Sequence, residues 1–205
     1  MTLSEETRKR VEKATVRLTK KGGQGVIVPD GLILTAAHCI AASLEGDMVL
    51  GDFFLEEIEF GGQKIVAQVY VVEPVSDIAV LGTPDDQTFY KEAIAFDKAL
   101  ELIEPVEIRS EDLELFREIP AMVFTHTRLW LQASVQKCNE SASTLAINTP
   151  AIDGGTSGGP VIDQEGRLFG IISMIGCTIG REDHIGQIPW PSRALPVWVV
   201  KRITR

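Results

Sequence analysis

The chain has 205 residues, 44% of them apolar and 24% charged, with a formal net charge of −9. That length allows a substantial buried core in one or two compact units. An acidic balance without a basic stripe argues against nucleic acid or an anionic membrane surface as partner, and no apolar run approaches the roughly 18–20 residues needed to cross a bilayer.

Residues Ser4 to Ala14 read as a short helix. Ser4 can accept a hydrogen bond as N-cap, Glu5-Glu6 suit the positive end of the helix dipole, and Arg8-Lys9-Arg10 follow. The charged opening from Met1 to Arg10 lacks the apolar core of a secretory signal, which points to a cytoplasmic protein. Thr15-Val16-Arg17-Leu18-Thr19 alternates at period two, a strand signature. Gln24–Val28 and Leu32–Leu34 flank Pro29-Asp30-Gly31, a turn built from fixed φ, a side-chain acceptor and a permissive glycine. A hairpin joins Phe54–Phe60 to Lys64–Val72 through Gly61-Gly62. The strand from Ile78 to Leu81 stops at Gly82-Thr83-Pro84. About six short strands with regular turns indicate a barrel.

From Asp85 to Leu115 scattered charge obscures any period. The segment reads as a crossover with a strand near Val106-Glu107-Ile108. Strands resume at Ala121–Thr125, Leu129–Val135 and Thr144–Asn148, then at Val161-Ile162 and Leu168–Met174, joined at Gln164-Glu165-Gly166. Ala194–Val200 reads as a last strand or short helix. His126, in the hairpin end Thr125-His126-Thr127, reads as a solvated turn histidine.

The chemistry concentrates between Asn148 and Pro160. In Gly154-Gly155-Thr156-Ser157-Gly158-Gly159-Pro160 four glycines surround one serine. Such a run can turn sharply, expose Ser157 and aim bare N–H groups at one point, which is what acyl transfer needs: a nucleophile and donors for an oxyanion. A serine hydroxyl needs a base, usually histidine. His38, in Thr35-Ala36-Ala37-His38-Cys39, ends an apolar strand where an imidazole can reach a neighbour. Asp77, opening the strand Ile78-Ala79-Val80-Leu81, supplies a carboxylate that can orient an imidazole and stabilise its charged form.

Together Thr35–Cys39, Asp77–Leu81 and Gly155–Pro160 resemble the chymotrypsin-like (trypsin-fold) serine proteases, in the family's order of His, Asp, Ser. The resemblance spans roughly Thr15 to Trp198. It is nearest to single-domain bacterial trypsin-like peptidases and to the HtrA protease domain, whose strands and pocket wall Gly23–Val28 and Gly186-Gln187-Ile188-Pro189 resemble. It implies an all-β fold of two six-stranded antiparallel barrels with a short N-terminal helix. The expected division is helix 1–14, first barrel 15–100 with His38 and Asp77, and second barrel 101–205 with Ser157. It further implies His38 as base, Asp77 as orienting carboxylate, Ser157 as nucleophile, and the backbone N–H groups of Gly155 and Ser157 as oxyanion hole. Ser173 matches a family serine beside the aspartate and the cleft. The implied partner is a polypeptide substrate; no metal or other cofactor is expected, and the oligomeric state is open.

The sequence also departs from secreted relatives. Their bridge from the cysteine after the histidine needs an upstream cysteine, and none precedes Cys39; with Cys138 and Cys177 the count is odd, which favours reduced thiols. Thr156 stands where those enzymes carry an aspartate that pairs with a freshly cleaved N-terminus. Threonine cannot anchor an ammonium group, so the oxyanion turn is expected to be preformed. An HtrA-like C-terminal peptide-binding domain has no counterpart in these residues. At the specificity pocket the resemblance places Ala151 at the base and Ser173, Met174 and Ile175 along the wall, a shallow apolar space for a small or medium aliphatic residue. Arg181 and His184 nearby offer the competing expectation of an acidic preference. Outside the leading reading stand a catalytically silent binding or chaperone module and a protease dedicated to one partner.

Overall fold

The computed structural model describes residues 2–40, 54–150, 152–173, 175–176 and 183–204. Helix α1 (Glu5–Lys13) begins as its sequence dictates. The Ser4 hydroxyl accepts from the Thr7 N–H at 3.0 Å, with Glu5 and Glu6 in the first turn and Arg10 and Lys13 in the last. Six strands follow: β1 (Thr15–Leu18), β2 (Gln24–Val28), β3 (Leu32–Thr35), β4 (Leu55–Phe60), β5 (Gln63–Glu73) and β6 (Ile78–Gly82). They close into an antiparallel barrel in the order β1-β2-β3-β6-β5-β4, with β4 pairing back to β1. Every residue of β2, β3 and β6 is buried, and apart from Gln24 and Thr35 at their ends facing the site these strands hold only apolar residues and glycine, whereas β5 alternates toward solvent.

The crossover between units holds a helix that the sequence reading did not expect. Helix α2 (Tyr90–Leu100) buries Ala93 and Phe96 against the barrel and turns its charges to solvent. The strand expected at 106–108 is reduced to a bridge between Ile108 and Leu168. Its N–H and carbonyl groups are divided between two partners: the Val106 N–H goes to the Ile27 carbonyl of β2, while Glu107 and Arg109 bond Leu168. The segment is thereby a splice between the two units.

The second unit comprises β7 (Glu118–Phe124), β8 (Trp130–Gln136), β9 (Thr144–Pro150), β10 (Pro160–Ile162), β11 (Leu168–Ile171), β12 (Ile175–Gly176) and β13 (Asp183–Pro189). Among the described residues it is a seven-stranded sheet in the order β11-β10-β7-β8-β9-β13-β12, a half-barrel and not the closed six-stranded barrel expected. The sheet curls until β11 meets β13 across its open side, where a Cβ on Gly170 would stand 2.2 Å from the Pro189 carbonyl oxygen. Hydrogen bonding shortens β11 relative to expectation: Ile172 leaves the ladder to exchange bonds with Gly158 and Gly159 of the serine turn. The chain ends in α3 (Pro191–Ala194) and α4 (Val197–Ile203), helices where a strand was the alternative. Val199 and Ile203 are buried in the core, and Arg202 pairs with Asp30.

Helix α1 spans both units. Arg10 donates to the carbonyls of Glu165 and Gly166, and Glu12 accepts from the Trp130 indole at 2.9 Å and from Arg128 at 3.3 Å.

The Gly170 contact yields a stability prediction. Gly170→Ala should lower the unfolding free energy by about 1–3 kcal/mol, the usual cost of overpacking, read as a drop in denaturant midpoint. Gly154→Ala, with open space around its Cβ and no left-handed backbone, should leave the midpoint unchanged.

Candidate active site

The strand β3 ends at Thr35, and a single 3-10 turn, Ala37–Cys39, carries His38 out of the barrel. Asp77 grips that turn. Its carbonyl accepts from the Ala37 N–H at 3.2 Å, and its Oδ1 accepts from the His38 N–H at 2.9 Å. Its Oδ2 lies 2.7 Å from His38 Nδ1 and accepts from Ser173 Oγ at 2.5 Å. Asp77 adopts φ 56°, a left-handed conformation that costs a non-glycine residue and that aspartate tolerates better than most. The preceding turn is fixed by Glu73, whose carboxylate accepts from the Val75 and Ser76 N–H groups.

With Nδ1 facing a carboxylate, the neutral ring carries its proton on that nitrogen and presents Nε2 as an acceptor. The Asp77 hydrogen bond, reinforced by the neighbouring Cys39, raises the His38 pKa from 6.5 to about 10 despite burial acting the other way. Burial pushes the Asp77 carboxyl up, but the bonds from the His38 ring, Ser173 and the His38 N–H outweigh it and hold the group below the usual carboxylate range.

Ser157 reaches the same place from the second sheet. Its carbonyl accepts from the Gln24 N–H at 2.7 Å and lies 3.9 Å from Cys39 Sγ, the residue next to His38. Gly158 lets the two backbones touch: at φ 81°, a Cβ there would stand 1.9 Å from the Gln24 carbonyl oxygen. Its N–H bonds the Ile172 carbonyl at 2.6 Å, tying the turn to the segment that leads to Ser173. The Ser157 hydroxyl makes no hydrogen bond to the imidazole or to any other described residue, and the N–H groups of Gly155 and Ser157 have no acceptor among the described residues.

Cys39 is buried and free, and Gly23 faces it: a Cβ built on Gly23 would lie 2.5 Å from the sulfur. A side chain at position 23 would collide with the thiol. Cys138 is free and exposed. Of the expected pocket residues, Ser173 is bound to Asp77 as described. Ile175 lies on β12 opposite Gly186, and His184 lies on β13 opposite Thr149. Ala151, Met174, Cys177 and Arg181 lie outside the described residues. No group of metal-ligating side chains occurs among the described residues, and no described helix is long and apolar enough to cross a membrane.

One contact at the site had no sequence signal. His126, on the turn between β7 and β8, is exposed as a turn histidine should be, yet its Nδ1 lies 3.0 Å from Thr156 Oγ1 and its ring flanks Gly155.

The family model of the trypsin-like peptidase domain matches residues 23–171. No curated protein sequence matches. Among solved structures, the active form of the Rv3671c protease from M. tuberculosis shares 14% identity over 99% of this chain and 88% of its own, with a TM-score of 0.61. The HtrA-type protease AlgW with a tripeptide shares 19% identity over 98% of this chain and 64% of its own, with a TM-score of 0.63. The serine endoprotease from Yersinia pestis shares 18% identity over 100% of this chain and 68% of its own, at a TM-score of 0.62. At such identities these structures speak for the fold alone, one barrel and one half-barrel. The family rests on the sequence match across residues 23–171, and by that match the chain belongs to the trypsin-like peptidases.

Proposed function

We propose that this peptidase is a serine endopeptidase working through an acyl-enzyme, with Ser157 as nucleophile, His38 as base and Asp77 as the orienting carboxylate. The observation that carries this reading is the 2.7 Å contact between His38 Nδ1 and an Asp77 carboxylate that is itself held by Ser173 and the His38 N–H. In the neutral ring it leaves Nε2 as the basic atom, and the next residue, Cys39, lies 3.9 Å from the Ser157 carbonyl. On binding a peptide, Ser157 Oγ bonds to the scissile carbonyl carbon while its proton passes to His38 Nε2. The carbonyl oxygen becomes an oxyanion for the Gly155 and Ser157 N–H groups, which have no acceptor among the described residues. The imidazolium gives its proton to the leaving amine as the C–N bond breaks, and water then releases the acyl group by the same steps in reverse. The missing bond between Ser157 Oγ and the imidazole is compatible with this role, since such contacts tighten in the substrate complex.

An organophosphonate probe tests the nucleophile: wild type labels on one serine, and Ser157→Ala neither labels nor turns over, with kcat down by about 10⁶ on the subtilisin precedent. Labelling retained in Ser157→Ala places the nucleophile elsewhere.

The pH dependence follows from His38. The base acts when neutral, so activity rises as pH rises through its pKa, and Asp77 displaces that limb to the alkaline side of 6.5. The same shift means that the charged imidazole stabilises the fold below pH 6.5 and that this contribution fades as pH rises through the folded value. Asp77→Asn should move the limb back toward 6.5 and cost about 10⁴ in kcat by the family template. A limb that stays put in Asp77→Asn removes Asp77 from the orienting role.

The pocket residues Ala151, Met174 and Ile175 carry no charge, and an unpaired buried Lys would be strongly disfavoured there. We place cleavage after Ala, Val or Leu, where burying the side chain contributes about 1.5–3 kcal/mol. Profiling a peptide library checks it: dominant cutting after Glu or Asp assigns the pocket to Arg181 and His184, and dominant cutting after Lys or Arg defeats both assignments. Free Cys39 and Cys138, with glycine facing the former, agree with a reduced, cytoplasmic setting.

A further inference from the structure

The turn that carries Ser157 lacks the internal ion pair that an aspartate at position 156 would offer, yet it must hold its N–H groups at one point. Thr156 is fully buried, and both bonds to its hydroxyl come from one residue: His126 Nδ1 at 3.0 Å and the His126 N–H at 3.4 Å. The same ring closes one side of Gly155. The three atoms nearest to a Cβ built on Gly155 are His126 Cγ and Cδ2, at 3.4 Å, and Nδ1, at 3.7 Å. Gly155 sits at φ 97°, a conformation that its own sequence does not fix and that a neighbour must hold. His126 and Gly155 both border a cavity of about 660 Å³ shared with Gly23, Gln24 and Phe124.

His126 is itself on a stiff mount. The Thr125 and Leu129 backbones are bonded at 2.9 Å, the Thr125 and Thr127 hydroxyls meet at 2.9 Å, and Phe124 stacks on Trp130 with centroids 5.0 Å apart. Glu12 of α1 then braces Trp130 and Arg128 from outside. Because the His126 N–H donates to the Thr156 oxygen, the Thr156 proton is free to go to Nδ1. The neutral ring then carries its own proton on Nε2.

We propose that His126 is the positioning residue of the oxyanion turn: it anchors Thr156 and backs Gly155, so that the Gly155 and Ser157 N–H groups are aimed before substrate arrives. This rests on the serine endopeptidase reading above. The N–H groups contribute most when charge develops on the carbonyl oxygen, so loosening the turn costs kcat and leaves KM in place.

Steady-state kinetics on a cleavable peptide, with organophosphonate titration of active sites, tests this on the full chain. His126→Ala should lower kcat about tenfold, the scale of one lost hydrogen bond, at unchanged KM. His126→Asn places an acceptor near the Nδ1 position and should recover activity to within about threefold of wild type. Thr156→Val removes the hydroxyl at constant volume but keeps the ring against Gly155, so it should lower kcat by no more than His126→Ala, again at unchanged KM. Since the two act through one contact, the double variant should be no slower than the worse single. A His126→Ala enzyme within twofold of wild-type kcat, a loss confined to KM, no rescue by Asn, or losses that multiply in the double variant would each overturn the assignment. A wild type that neither labels nor turns over overturns the endopeptidase reading, and this assignment with it.

Discussion

The Asp77 carboxylate is the interaction on which the site depends. One side chain accepts a backbone N–H, an imidazole and a hydroxyl, and the residue's own carbonyl accepts a fourth bond from Ala37. These partners come from two units: the Ala37–Cys39 turn belongs to the first barrel, and Ser173 belongs to the end of the second sheet. A left-handed residue is costly, and four bonds to one residue are what offset that cost. The carboxylate therefore fixes the histidine's direction and also registers the two units against each other.

A second registration point lies a few residues away in space, at the Ser157 carbonyl. Gln24 of β2 donates to it, and Gly158 brings the serine turn flush against the Gln24 backbone. Ile172 exchanges bonds with Gly158 and Gly159, so the serine turn and the Ser173 segment move as one piece. His38 and Ser157, held this way, sit on strand ends and backbone contacts more than on free loops, the arrangement that positional accuracy requires.

Much of this was legible in the sequence, for physical reasons. Strand runs such as Val26–Val28 and Ile78–Leu81 announce themselves because burial on both faces favours consecutive apolar residues. Helix α2 hid because Ala93, Phe96 and Leu100, its inward row, are interleaved with Lys91, Glu92, Asp97 and Lys98, so a solvated face masked the period. The half-barrel was read as a closed barrel because short strands give no sign of which edges pair. His126 was beyond reach for a different reason: its partner Thr156 is 30 residues away, and an exposed turn residue carries no pattern that points to a contact.

Helix α1 has a consequence in time. Its anchors are separated from it by 155 residues at Glu165 and by 118 at Trp130. At a synthesis rate of about 5–20 residues per second, Arg10 waits roughly 8–30 s for its carbonyl partners to exist. An isolated helix of nine residues is marginal in water, so until the first barrel can cover Val11 this segment has little reason to stay helical. The first-made helix can settle on the first barrel through Val11 and Ala14, but its clasp on the second sheet waits until Trp130 and Glu165 have been made.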